Sequence, residues 1–263
     1  LGTANMRRTY CENAHMERVD LWFAHLDGAF LWHTYFQGAR FYEAHLQGAH
    51  LDQLVLADEH QVGPQLVDTH WEDANLATVD WSQMRILGDE HIALQKERDG
   101  QAKDRETRLK EFEDAVRANR QLALALQAQG LNEDAARFLY RSQMLQRQRL
   151  ALQGSSKLGP YLFSLFLAVL TGYGYRMWRI VVAYVVLILL FASLYYGFSL
   201  GHLSHFSALD ALILSITAFH GRVFSSPFPL GSVQGIVAAI EAVTGLLFEG
   251  IFIAMLTHRF FNR

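Results

Sequence analysis

The N-terminal third of the chain keeps a strict five-residue period, and few folds can hold it. Every fifth position from Met6 reads Cys11, Met16, Leu21, Leu26, Leu31, Phe36, Phe41, Leu46, Leu51 and Leu56, then, past Gln61, Leu66, Trp71, Leu76, Trp81 and Ile86. Two residues ahead of each stands a column of smaller side chains: Ala4, Thr9, Ala14, Val19, Ala24, Ala29, Thr34, Ala39, Ala44 and Ala49, resuming at Thr69, Ala74 and Val79. A helix returns its apolar face about every 3.6 residues and a strand about every two, so neither sustains a phase of five. A short unit stacked repeatedly on itself does.

The units Ala4-Asn5-Met6, Ala44-His45-Leu46 and Ala74-Asn75-Leu76 fit the pattern Ala-(Asp/Asn)-Leu-x-x. Over roughly residues 4–88 the chain resembles the pentapeptide-repeat family. That resemblance implies a right-handed quadrilateral β-helix across residues 1–88, four repeats to the coil, with both columns pointing inward. Coils would stack about 4.8 Å apart, so four coils make a rod roughly 20 Å tall. Glu59 and Gln61 would then face inward without partners, which is costly. Ala57 to Gly63 is therefore expected to bulge from one corner. A twenty-residue coil puts His25 over His45 and His50 over His70 on the outer surface. That face is either simply solvated or a proton- or metal-responsive ladder, and no carboxylate or thiol completes a metal set. Cys11 falls in the inward column and, as the single cysteine, makes no internal disulfide. The chain opens in mid-pattern without Met, so further residues are expected upstream.

Residues 89–157 read as a helical connector. Leu109, Phe112, Val116, Ala123 and Leu126 recur at three- and four-residue steps, and Gly130 ends that helix. Asn132 is the expected N-cap of a second helix, with Glu133 and Asp134 at its positive end and Ala135, Phe138, Leu139, Leu145 and Leu150 on one face. The pair is similar to one tetratricopeptide-type hairpin, which serves as a peptide site, a spacer or an oligomerisation collar. Arg141, Arg147, Arg149 and Lys157 approach the next segment and suit anionic lipid headgroups.

Beyond Gly154 charge nearly vanishes, and residues 158–263 read as a membrane domain. Ile180 to Phe198 is nineteen residues without a charge, long enough to span a bilayer as part of a first span at about 177–199. A second span, at about 232–258, carries Glu241 and Glu249. Tyr161 to Leu170 is too short to cross and is expected at the interface. Lys157, Arg176 and Arg179 flank the first span, and His258, Arg259 and Arg263 follow the second. The loop between carries only Arg222 as a fixed positive charge. The positive-inside rule then places both termini in the cytoplasm of a multi-pass protein of the cell (inner) membrane.

Between the spans a short apolar helix, about 206–218, precedes Thr217-Ala218-Phe219-His220-Gly221-Arg222. Span, short helix, loop, span resembles the two-helix potassium-channel-like pore over about residues 177–260, and Gly245 stands where such inner helices bend. The resemblance implies a symmetric homo-oligomer, a tetramer, surrounded by lipid. It makes Thr217 to Arg222 the pore or filter segment, and Glu249, Glu241 and Gly245 pore-lining or intersubunit residues; a buried structural hydrogen-bond network, with Glu241 behind the short helix, is the other role open to the two acids. The potassium filter reads Thr-Val-Gly-Tyr-Gly, and its carbonyls replace the hydration shell of the ion. Here only Thr217 and Gly221 match, so conduction is not expected to be potassium-selective. Gly172-Tyr173-Gly174 imitates a filter but precedes the first span with no pore helix before it.

Two functions fit. One is an oligomeric ion channel with a cytoplasmic pentapeptide-repeat regulatory domain. The other is a non-conducting membrane-anchored scaffold or sensor whose repeats bind a cytoplasmic protein. A net charge of −3, and outward Arg7, Arg8, Arg18 and Arg40 on the repeats, argue against a nucleic-acid partner or its mimicry. No nucleophile–base set, phosphate loop or metal cluster stands out, so neither an enzyme nor a cofactor or metal site is expected.

Overall fold

The computed structural model describes residues 1–170, 177–199, 207–222 and 231–261. Gly172-Tyr173-Gly174 lies outside them. The chain forms two compact units, Leu1–Phe166 and Leu167–Arg263. Seven α-helices occur among the described residues.

In the first unit the five-residue period becomes a stack of parallel bridges. Asn5 pairs with His25, Tyr10 with Phe30, His15 with Tyr35 and Asp20 with Arg40, each twenty residues on. His25 then pairs with His45, and Phe30 with His50. Between bridges the chain turns through residues of positive φ spaced five apart, among them Phe23 at 55° and His33 at 52°. Gly28, Gly38 and Gly48 take that left-handed conformation at other corners, where a missing Cβ removes its cost. Each turn closes on itself, as where Ala24 N–H donates to the Leu21 carbonyl at 3.1 Å. Both inward columns are buried from Leu21 to Leu56; Leu21, Ala24, Leu26, Ala29, Leu31, Thr34 and Ala39 are each 0% exposed. In the first coil Met6, Cys11 and Met16 are half-buried.

One coil is longer. Arg40 pairs with Gln65, His45 with His70 and His50 with Asn75, all at an offset of twenty-five. The extra residues bulge at the expected place, where Asp58 Oδ1 accepts from the N–H groups of His60 and Val62 at 2.9 Å each. Glu59 and Gln61 are exposed there. The insertion corrects the expected register: His70 lies over His45, not His50, so one face carries three stacked histidines.

The far end of the stack is closed by helices. After α1 (Gly88–Leu94) and the short hairpin β1 (Glu97–Arg98) and β2 (Gln101–Ala102) come α2 (Arg105–Ala128) and α3 (Asn132–Gln153). Ala118, Leu122, Ala123 and Leu126 of α2, with Ala135 and Phe138 of α3, join the same core as the repeats. The Gln129 side chain accepts from Leu76 N–H at 2.9 Å and donates to the Ala74 carbonyl at 2.5 Å. Gln121 does the same for Asp68 N–H and the Asp68 carboxylate, both at 2.9 Å. The hairpin thus covers the last coil's apolar end and satisfies edge groups that burial would otherwise strand. Arg141 forks onto buried Glu90 at 2.7 and 2.5 Å, and Arg149 meets Glu113 at 2.9 Å. Two of the four cations assigned to headgroups are therefore engaged inside this unit. Gly130 ends α2 at φ 78°, as expected. Asn132 is the first residue of α3 rather than its cap; Leu131 holds that position without a side-chain bond.

Helix α4 (Leu158–Leu170) leaves Leu162, Phe163 and Phe166 exposed. The second unit contains α5 (Met177–Ser199), α6 (Ala208–Phe219) and α7 (Val233–Phe261). Helices α5 and α7 are long and apolar enough to cross a membrane. Their outer faces expose Val181, Val185, Leu189, Ile236, Ile240 and Leu247, as lipid-facing helices would. Helix α6 starts at a capping box, Ser207 with Asp210, and packs against both long helices.

Candidate functional site

The functional residues expected from sequence gather where α6 meets α7, but in a different arrangement. Glu241 lies on α7 and is 0% exposed. Its Oε2 accepts from the Tyr195 hydroxyl of α5 at 2.6 Å, and its Oε1 from the Ser215 hydroxyl of α6 at 2.5 Å. Ser215 Oγ is also 3.0 Å from the Ile188 carbonyl of α5. One buried carboxyl thus ties the three helices together, and its two hydroxyl donors offset the cost of burying it. Of the two roles open to Glu241, pore-lining or intersubunit residue and member of a buried hydrogen-bond network, its enclosure by Tyr195 and Ser215 matches the second. Tyr195 and Ser215 were not singled out in the sequence, although any buried carboxylate in an apolar helix demands donors from its neighbours.

Gly245, one turn further along α7, permits a close contact. A Cβ built on it would collide with the carbonyl oxygen of Phe219 at the end of α6. By contrast, a Cβ on Gly250 would meet nothing within 4 Å. Phe219 is buried, and its ring sits edge-on to Tyr184 of α5 at 5.2 Å and to Phe248 of α7 at 5.9 Å.

The segment expected as a filter is a helix ending. Thr217, Ala218 and Phe219 are the last residues of α6, and His220 is its C-cap. Gly221 has φ 64°, its N–H donates to the Ala218 carbonyl at 2.9 Å, and Arg222 N–H donates to the Thr217 carbonyl at 2.8 Å. This is the paired closure of a Schellman motif, and it occupies carbonyls that a potassium-type filter would offer to an ion. The His220 Nδ1 lies 2.8 Å from the Ile216 carbonyl. A carbonyl only accepts, so the proton sits on Nδ1 and Nε2 faces Glu249 Oε1 at 3.8 Å. Glu249 is half-exposed and, with Phe219, His220, Gly221, Val243 and Leu246, lines an open pocket on α7. Arg222 is exposed. Of the residues read from sequence, the structure therefore brings His220, Gly221 and Glu249 to one pocket and turns Glu241 and Gly245 inward. Among the described residues no three His, Cys, Asp or Glu side chains converge as a metal site.

Comparison with known proteins bears on the repeats. Residues 4–41 and 14–53 match the family model of pentapeptide repeats, in eight copies. A solved pentapeptide-repeat protein, Rfr23 from the cyanobacterium Cyanothece 51142, is similar at 28% identity, over 29% of this chain and 48% of that chain, with a TM-score of 0.26. The match thus spans about half the length of that structure. No curated protein matches the chain. The family match and the five-residue bridging agree on one point: the N-terminal part of this chain is built of pentapeptide repeats.

Proposed function

We propose that this protein is an oligomeric ion channel of potassium-channel-like layout, a homotetramer of the cell (inner) membrane with both termini in the cytoplasm. Its repeats, a right-handed quadrilateral β-helix in this reading, form a cytoplasmic regulatory domain. Four bridges in each twenty-residue coil support the β-helix. The observation that carries the channel reading is the seating of α6: a helix of twelve residues, too short to span, bonded through Ser215 to Glu241 and pressed on Gly245 between two helices of spanning length. That order and packing are what a re-entrant pore helix needs. Each subunit would offer the pocket of His220 and Glu249, with Arg222 beside it, toward the axis. Because the Thr217 and Ala218 carbonyls close a helix end, conduction in this reading is not potassium-selective. Ion flux through proteoliposomes tests the proposal, and absence of flux from correctly inserted protein defeats it.

A second reading has its own observation. The closed helix end supports a pore fold that no longer conducts, leaving a membrane-anchored scaffold or sensor whose repeats bind a cytoplasmic protein. Retained binding of a cytoplasmic partner by protein without flux would favour it.

A further inference from the structure

The bulge at residues 57–63 shifts the register so that His25, His45 and His70 fall on successive rungs of one face of the repeat stack. Their ring centroids are 4.7 and 4.6 Å apart, with planes tilted by 25° and 18°. Rings stacked face to face aim their nitrogens sideways, not at a common centre, so the column is not a metal cage. Its chemistry is that of protons.

The surroundings of the three rings differ. Arg7 Nη2 lies 3.0 Å from His25 Nδ1, while Arg7 Nε donates to Asp27 Oδ2 at 3.0 Å. A guanidinium only donates, so His25 Nδ1 holds a lone pair toward Arg7; a proton there would displace Arg7 and face Asp27 Oδ2, 3.5 Å from the same nitrogen. His45 lies between two imidazoles, beside the neutral Gln47, whose Nε2 is 3.3 Å from Nδ1. His70 Nδ1 is 4.0 Å from Glu72 Oε1. The corner preceding this face carries Glu43 and Asp68, and Asp68 is paired with Arg117 of α2 at 3.3 Å.

The same three residues hold the coils together. The carbonyls of His25, His45 and His70 accept from Met6, Leu26 and Leu46 at 2.7, 2.7 and 2.9 Å. His45 and His70 N–H groups donate to Ala24 and Ala44, both at 2.9 Å. Repulsion between charged rings therefore acts directly on the backbone ladder. Neighbouring faces respond differently. His50 stacks on Phe30 at 4.4 Å and His15 on Tyr35 at 4.6 Å, where a protonated ring gains attraction from the aromatic face.

We propose that the His25–His45–His70 column is an acid-operated release, which zips adjacent coils when neutral and loosens that one face when neighbouring rungs are protonated. The inference is independent of whether the membrane unit conducts.

Hydrogen exchange of the full chain in lipid nanodiscs tests it, at about pH 7.5 and about pH 5.5, with times rescaled for the intrinsic rate. Acid should cost peptides carrying the Leu26, His45, Leu46 and His70 amides about ten-fold in protection, the scale of one charge repulsion at this separation. Peptides carrying the Phe30 and Tyr35 amides should keep theirs. His45→Gln removes the middle charge and should abolish the loss. If that variant melts early at neutral pH, His25→Gln with His70→Gln makes the same test, because His45 then lies between neutral amides. Unchanged protection, equal loss on every face, or a loss that these variants leave intact would overturn the proposal.

Discussion

The carbonyl oxygen of Phe219 occupies the space that any side chain on Gly245 would need. The end of α6 can touch α7 this closely because position 245 has no Cβ. The obstacle is backbone, which cannot swing aside as a flexible side chain would. Gly245→Ala should therefore destabilise the second unit by about 1–3 kcal/mol, as overpacking does. Gly250→Ala, which meets nothing, should be close to neutral. Thermal unfolding of both variants in the same lipid is the check, and equal melting would refute the contact.

Glu241 is predicted to matter as an acceptor more than as a charge. Its two carboxyl oxygens take the hydroxyls of Tyr195 and Ser215. Glu241→Leu removes this acceptor from both hydroxyls, while Ser215 keeps the Ile188 carbonyl, and should cost about 1–3 kcal/mol in all. Glu241→Gln keeps one acceptor and should fall between that variant and the native protein. Unfolding measured in nanodiscs should give the order native, Gln, Leu; a leucine variant as stable as the native chain would show that the network is dispensable.

Asp89 sets a pH dependence in the first unit. Burial raises its carboxyl from 3.8 to about 7, against the opposing pull of the Leu66 N–H, which donates to Oδ2 at 2.7 Å. The folded form thus holds a proton that the unfolded chain gives up. Its contribution is fully present below about pH 4 and is lost as pH rises through about 7. Asp89→Asn stays neutral throughout. Between about pH 5 and pH 8 the native chain should lose stability relative to this variant, and the difference between the two isolates Asp89 from the histidines. Parallel pH slopes of the melting temperature would contradict the assignment.

The repeat stack was legible because one phase of five residues fixes which side chains enter the core. Leu21 and Ala24 are both buried for that reason. The bulge was legible too, since Glu59 and Gln61 could not be buried unpaired. Its consequence was not. The bulge adds five residues to that coil, and twenty-residue arithmetic therefore paired His70 with the wrong histidine. In the second unit, hydropathy located α5 and α7, but hydropathy is blind to which way an acid turns. Glu241 and Glu249 are eight residues apart and share nearly one side of a straight helix, yet one is enclosed and the other half-exposed. That difference comes from where α6 docks, a tertiary fact with no local signature. The Schellman closure at Gly221 had a visible cue, a glycine just past an apolar helix, which the comparison with a filter motif obscured.

Conduction is decided by a planar-bilayer recording in asymmetric potassium chloride. A current is expected whose reversal potential departs from the potassium equilibrium value and shifts with Arg222→Ala. A silent bilayer containing verified, inserted oligomer, or reversal at the potassium equilibrium value, would contradict it.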